Sequence, residues 1–245
     1  MTVFRNVVFV AALAGLVAGV LMAAMQAYAT VPLILQAETF EGAGGDHSHD
    51  AGAPAVPPAA HVHEHDDGGW APSDGFERFF YTSAANIVTG VGFALILVAF
   101  SELAGGIQGW RQGLMWGLGG FAAFTLAPGL GLPPELPAMP AADLAARQLW
   151  WIGTVVATAA GIALIAFRAS LPLALFGIAL IVVPHVIGAP QPESHDSPVP
   201  ADLHHQFVVA VTVTNLIFWV ALGALAGFFR QRVAGGEAAA RTSLA

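Results

Sequence analysis

The chain has 245 residues, of which 56% are hydrophobic and only 10% charged, with a formal net charge of −8 and no cysteine. A soluble domain normally holds about 25% charged residues, so this composition excludes an ordinary soluble fold and specifies an integral membrane protein. The acidic balance, with no lysine and no basic patch, argues against a nucleic-acid partner, and the missing thiols exclude disulfides, thiolate metal sites and cysteine nucleophiles.

A bilayer core takes about 20 mostly apolar residues per helix. The first such run covers 7–29, after Arg5. Ala27-Tyr28-Ala29 has the small-x-small form of a signal cleavage site. The apolar run is nevertheless longer than a signal core of about 7–15 residues, which favours a retained anchor. A polar stretch follows, from Gln36 to Gly75, dominated by Gly, Ala, Pro, His and Asp. It is too polar to bury a core of its own and reads as disordered. Further runs lie at 82–103, 114–132, 149–167, 171–187 and 207–229. Those at 149–167 and 171–187 are separated by Arg168-Ala169-Ser170 alone and form a tight hairpin. Pro172 suits the first turn of its helix, whereas Pro184 is expected to kink or end it.

The expected fold is thus all-α, an integral membrane bundle of six transmembrane helices. Five spans with a re-entrant element is the alternative. The division is a first helix in 1–35, a disordered His/Asp-rich loop in 36–78, a five-helix bundle in 79–232 and a disordered tail in 233–245. Gly15/Gly19, Gly113/Gly117 and Gly223/Gly227 have the spacing of close-approach motifs, each weak alone in spans this rich in Gly and Ala.

Arginine placement gives the orientation. With a cytoplasmic N-terminus, Arg5, Arg111, Arg168, Arg230, Arg232 and Arg241 fall inside and only Arg78 and Arg147 outside. That split obeys the positive-inside rule and puts both termini in the cytoplasm. All acids except Glu102 and Glu237 then lie in outer loops or at their edges, and every histidine lies on or near the outer side.

Two His–carboxylate clusters stand out in the first outer loop: Asp46-His47-Ser48-His49-Asp50 and His61-Val62-His63-Glu64-His65-Asp66-Asp67. Imidazole beside carboxylate suits a borderline divalent cation such as Co2+, Ni2+ or Zn2+. In extended chain His61, His63 and His65 project to one side and can share an ion. The bland alternative is a soluble linker of biased composition. His185, Glu193, His195, Asp196, His204 and His205 form a second candidate group on the same side. The alternatives there are interfacial polar residues or, from His185 and His204, axial ligands of a haem. Within the spans, Gln26, Asn86 and Asn215 need partners in hydrocarbon, and Glu102 reads as an exposed residue at a cytoplasmic helix end. There is no metalloprotease helix motif and no P-loop, so neither hydrolysis nor intrinsic ATP use is expected, and the chain is read as no enzyme. An inward-moving cation gains about 2.3 kcal/mol per charge per 100 mV, so uptake requires no ATP.

Several stretches resemble one known family in order along the chain. They are Val31-Pro32-Leu33-Ile34-Leu35-Gln36-Ala37-Glu38, Trp70-Ala71-Pro72-Ser73-Asp74-Gly75-Phe76-Glu77-Arg78, and Leu126-Ala127-Pro128-Gly129-Leu130-Gly131-Leu132-Pro133-Pro134-Glu135-Leu136-Pro137. Arg147-Gln148-Leu149-Trp150-Trp151 and Pro184-His185-Val186-Ile187-Gly188-Ala189-Pro190 complete the set. Together they resemble the CbtA-type cobalt transporter subunits over nearly the whole chain, apart from the clusters between about Glu41 and Asp67. The resemblance implies a bacterial inner-membrane protein of five or six spans, working in cobalt uptake for corrin synthesis beside a small one-span, histidine-bearing membrane partner. Its metal is then substrate, Co2+ or Ni2+ with Zn2+ in the same ligand range, and no organic cofactor is implied. It favours Glu38, Glu77, Glu135, Arg147 and His185 over the loop histidines as site residues. The histidine tracts read as this chain's own elaboration, with a collecting role on the periplasmic or extracellular side. Two other readings stand beside uptake: a non-transporting membrane metal-binding or accessory protein, and a haem-bearing electron carrier.

Overall fold

A computed structural model describes residues 2–41, 72, 73, 75–168 and 170–243. Among them the regular structure is entirely helical, in the order α1 (Thr2–Ala29), α2 (Val31–Glu38), α3 (Phe76–Leu103), α4 (Trp110–Phe121), a π-helical segment (Ala122–Leu126), α5 (Ala127–Gly131), α6 (Leu144–Phe167), α7 (Leu171–Ile187) and α8 (Ala201–Ser243). Five stretches are long and apolar enough to cross a membrane: Phe4–Ala29, Phe76–Leu103, Trp110–Gly131, Leu144–Phe167 and Ala201–Val233. The sixth expected span, α7, is an apolar helix of 17 residues, about 25 Å long at 1.5 Å per residue.

Hydrocarbon offers no hydrophobic drive between helices, so close packing must bring them together, and small residues permit it. All three glycine pairs noted in the sequence lie at helix contacts. On α1, a Cβ at Gly19 would lie 2.6 Å from the Ile87 Cα of α3, and one at Gly90 of α3 would lie 2.6 Å from the Gly15 oxygen. On α4 and α8, Gly113 and Gly117 face Gly223 and Gly227, and a Cβ at Gly223 would lie 2.7 Å from the Gly117 nitrogen. The α6–α7 hairpin closes in the same way through Gly161 and Gly177, each against the other's carbonyl.

The main core joins Val10, Ala11, Ala14 and Ala18 of α1, Ala94, Leu97 and Val98 of α3, and Phe218, Trp219, Leu222 and Ala226 of α8. One face of the first helix is therefore part of the bundle's core. The buried Trp219 indole donates to Thr125 Oγ1 at 3.2 Å and stacks on Phe124. Both partners sit in the π-helical segment, three and four residues ahead of Pro128. A proline ring collides with the carbonyl four residues back, and a widened turn is one way to absorb it.

A second apolar cluster gathers Ala37 of α2, Leu136, Val199, and Leu203 and Phe207 of α8. It marks the end of the bundle from which the chain leaves after Glu41 and to which it returns at Pro72. That end is called the acidic end below, and the opposite one the far end. The short α2, with Pro32 in its first turn, follows α1 after a break at Thr30, whose backbone stays in the right-handed helical region. Pro172 occupies the first turn of α7 as its position suggests. Pro184 does not stop α7 at once: the helix runs on to Ile187, and Gly188, at φ 88°, ends it with an N–H bond to the Pro184 carbonyl.

Candidate functional site

A bend at Thr30, just ahead of Pro32, leads the chain into α2 and brings Glu38 to the start of α3. There its carboxylate meets Arg78 in a two-point contact, Nη1 to Oε2 at 3.3 Å and Nη2 to Oε1. Both side chains are about one-third exposed, at 32% and 33%. The neighbouring Glu77 turns instead to its own loop, accepting from the Ser73 N–H at 3.1 Å and from the Ser73 hydroxyl. Glu135, in the α5–α6 connection, pairs with Arg147 of α6 at 2.9 Å. Asp143 caps that helix by accepting from the Ala146 N–H at 2.9 Å.

Two of the candidate histidines, His185 and His204, have protein partners of their own. His185 stands edge-on to Trp150 at 5.9 Å between ring centroids, and the Trp150 indole donates to the Pro184 carbonyl at 3.2 Å. His204 Nε2 lies 3.1 Å from the Pro134 carbonyl oxygen. His195 and His205 are exposed. Glu38, Glu77, Glu135, His185, His195, His204 and His205 thus share the acidic end but do not converge. Among the described residues no group of three His, Asp or Glu side chains stands ready to hold a metal. His47, His49, His61, His63, His65 and Asp66 lie outside the described residues.

Just inside the acidic end, α1, α2, α3 and α8 line a partly open cavity of about 210 Å³. Its apolar walls include Met22, Ile34, Phe207 and Val211; its polar lining is Gln26, Thr30, Arg78, Thr82, Thr214 and Asn215. The intramembrane amides have found partners: Asn86 donates to Gln26 Oε1 at 2.7 Å, and Asn215 donates to the Val211 carbonyl at 2.9 Å. Sequence reading singled out Gln26 and Asn215 as span polar residues but not their shared cavity. The signal was helical spacing: Gln26 and Thr30 are four apart, as are Arg78, Thr82 and Asn86, and such residues share a helix face.

At the far end Glu102 of α3 is not a free end group. It pairs with Arg230 of α8 in a second two-point contact, Nη2 to Oε2 at 3.1 Å and Nη1 to Oε1. Their separation of 128 residues hides the pair from sequence inspection. One helix, α3, therefore carries an ion pair at each end, with the cavity beneath the first of them.

No curated protein and no solved structure matches this chain. The model of one protein family matches residues 4–231, nearly the whole length, and the chain belongs to that family, CbtA, the probable cobalt transporter subunit.

Proposed function

We propose that the protein carries Co2+, or Ni2+ through the same ligand chemistry, inward across the bacterial inner membrane as a permease or permease subunit. The observation that carries this reading is a cavity partly lined by polar side chains inside an apolar helical bundle, at the end where the acidic residues gather. Intramembrane polar groups are costly and usually mark a substrate path. In this reading the His/Asp-rich segment collects the ion on the outer side and holds it loosely, as flexible ligands without an oriented second shell do. Glu38, Glu77, Glu135 and His185 receive it at the bundle mouth, and the acidic surface concentrates cations there. The membrane potential supplies the drive, about 2.3 kcal/mol per charge per 100 mV.

Both Glu38 and Glu135 are held by arginines, and among the described residues no ready three-ligand set exists. That favours a subunit completed by further ligands, from the histidine tracts or from a small histidine-bearing partner, over a self-contained binding cage. Radioactive cobalt uptake into membrane vesicles tests the reading. Wild type should load cobalt under an inside-negative potential, Glu135→Ala should lower the rate, and deletion of 43–67 should raise the cobalt concentration needed for half-maximal uptake. Absence of uptake by the intact protein, with and without a histidine-bearing partner, would refute transport and leave a metal-binding accessory role.

A further inference from the structure

We infer that a groove on the outside of the bundle, between the end of α1 and the start of α8, binds one membrane phospholipid. An acyl chain lies along α8, and the phosphate sits at His205 and Gln206. The inference needs only that the chain lies in a membrane, and it stands apart from cobalt transport.

The groove is open and has a volume of about 440 Å³. Ala29, Val209, Ala210 and Val213 form its walls, with His205 and Gln206 toward the acidic end. Its origin lies in the sequence. The first helix ends at Ala29 and the chain breaks at Thr30, ahead of Pro32, so one flank of α8 runs on without a helix beside it. Val209 and Val213 on that flank are 47% and 48% exposed. The small side chains of Ala29 and Ala210 leave a hollow between the two helices.

Helical spacing separates this groove from the cavity described above. Gln206, Val209, Ala210 and Val213 share one face of α8, while Phe207, Val211 and Asn215 on the next face line the cavity. Thr214 stands between the two faces and lines both hollows. Its hydroxyl donates to the Ala210 carbonyl at 2.8 Å, so that proton is spent on its own helix and the groove wall stays apolar.

Length and depth select the occupant. From His205 to Thr214 the helix rises about 14 Å, at about 1.5 Å per residue. Half of a bilayer core is about 15 Å deep. The groove thus matches one lipid chain in the leaflet at the acidic end. A partner helix crossing the membrane would need a seam of about 30 Å, whereas α1 gives this groove Ala29 alone. Polarity agrees with a lipid. The apolar walls suit hydrocarbon, and the exposed His205 and Gln206 offer N–H donors to phosphate oxygens at the membrane boundary. Lipid tails are as apolar as the walls, so burial alone does not hold the chain. Close packing in a fixed hollow and the hydrogen bonds at its head distinguish this lipid from its neighbours.

The test uses full-length protein in vesicles of phosphatidylethanolamine and phosphatidylglycerol, where part of the phosphatidylglycerol carries a diazirine in its acyl chain. After photolysis, peptide mass spectrometry should find severalfold more lipid adduct on 205–214 than around Val156 and Ile178, which are 62% and 51% exposed on α6 and α7. Ala210→Leu fills the hollow and should bring 205–214 down to the level of those two controls. His205→Leu/Gln206→Leu should lower the adduct severalfold, because the phosphate loses its donors. Circular dichroism and gel filtration in detergent should match wild type for both variants. Equal labelling at all three places, or labelling that Ala210→Leu leaves undiminished, would mean bulk lipid only and overturn the inference. Labelling untouched by the His205/Gln206 change would overturn the phosphate position. A photoreactive side chain at Val213 that cross-links to a second polypeptide instead of lipid would give the groove to a helix and overturn the whole.

Discussion

Glu102 and Arg230 bind α3 to α8 at the far end through a two-point contact, with side chains 27% and 26% exposed. Ion pairs at this depth fall between two regimes: exposed pairs contribute about 0–1 kcal/mol, while breaking a buried pair costs about 3–5 kcal/mol. Gly106 lies against the same guanidinium, and a Cβ there would come within 2.5 Å of Nη2. We predict that Arg230→Ala and Glu102→Ala each destabilise the bundle by about 1–2 kcal/mol, with a coupling near 1 kcal/mol in a double-mutant cycle. Thermal unfolding in detergent measures it; additive losses would mean that the pair contributes nothing. Pairing across this distance was beyond sequence inspection, which took Glu102 for a solvated end group. What residue types could reveal was the unusual presence of Gln26, Asn86 and Asn215 in apolar helices. Which of them share a cavity depends on helix rotation, which the sequence indicates only through the four-residue spacing of the polar positions.

At the scale of elements, the six apolar runs were legible because membrane-length helices are specified by composition alone. The helix α2 was not, being only eight residues long and straddling Gln36, where the polar loop is read to begin. The π-helical segment before Pro128 also escaped, since its cause is a steric clash one turn back along the helix. The glycine pairs were visible but ambiguous, and their placement now separates them by role. Gly223 meets the Gly113 carbonyl and the Gly117 backbone, whereas a Cβ at Gly92 or Gly153 would meet nothing within 4 Å. Replacing Gly223 by Ala should therefore push α4 and α8 apart, at the overpacking cost of about 1–3 kcal/mol. Gly92→Ala and Gly153→Ala should be neutral or stabilising by up to about 1 kcal/mol, because glycine is a poor helix former. Melting temperatures of the three variants in one detergent decide it, and equal losses at all three would show that close approach is not what Gly223 provides.

At the scale of the whole molecule, the two ion pairs constrain how many times the chain crosses. Arg78 and Glu102 set the direction of α3 from the acidic end to the far end. The helix α8 runs the same way, since Phe207 packs with Ala37 at the acidic end and Arg230 meets Glu102 at the far one. Between two parallel helices the chain must cross an odd number of times. Trp110–Gly131 and Leu144–Phe167 supply two crossings, so the third falls to α7, whose 17 residues sit at the lower limit of about 17–25 for a span. From this parity we predict six crossings and, from the arginine distribution, both termini in the cytoplasm. The absence of cysteine makes this directly testable, because single cysteines can be introduced without background labelling. With six crossings, Ser194→Cys should react with a membrane-impermeant maleimide in intact cells, while Ala104→Cys, Ser170→Cys and Ser243→Cys should react only after permeabilisation. If α7 enters and leaves by the same face, Ser194→Cys becomes protected and Ser243→Cys reactive. The transport reading would then have to be rebuilt, because α8 would enter the membrane from the cytoplasmic side and the cavity would no longer lie beneath the outer mouth.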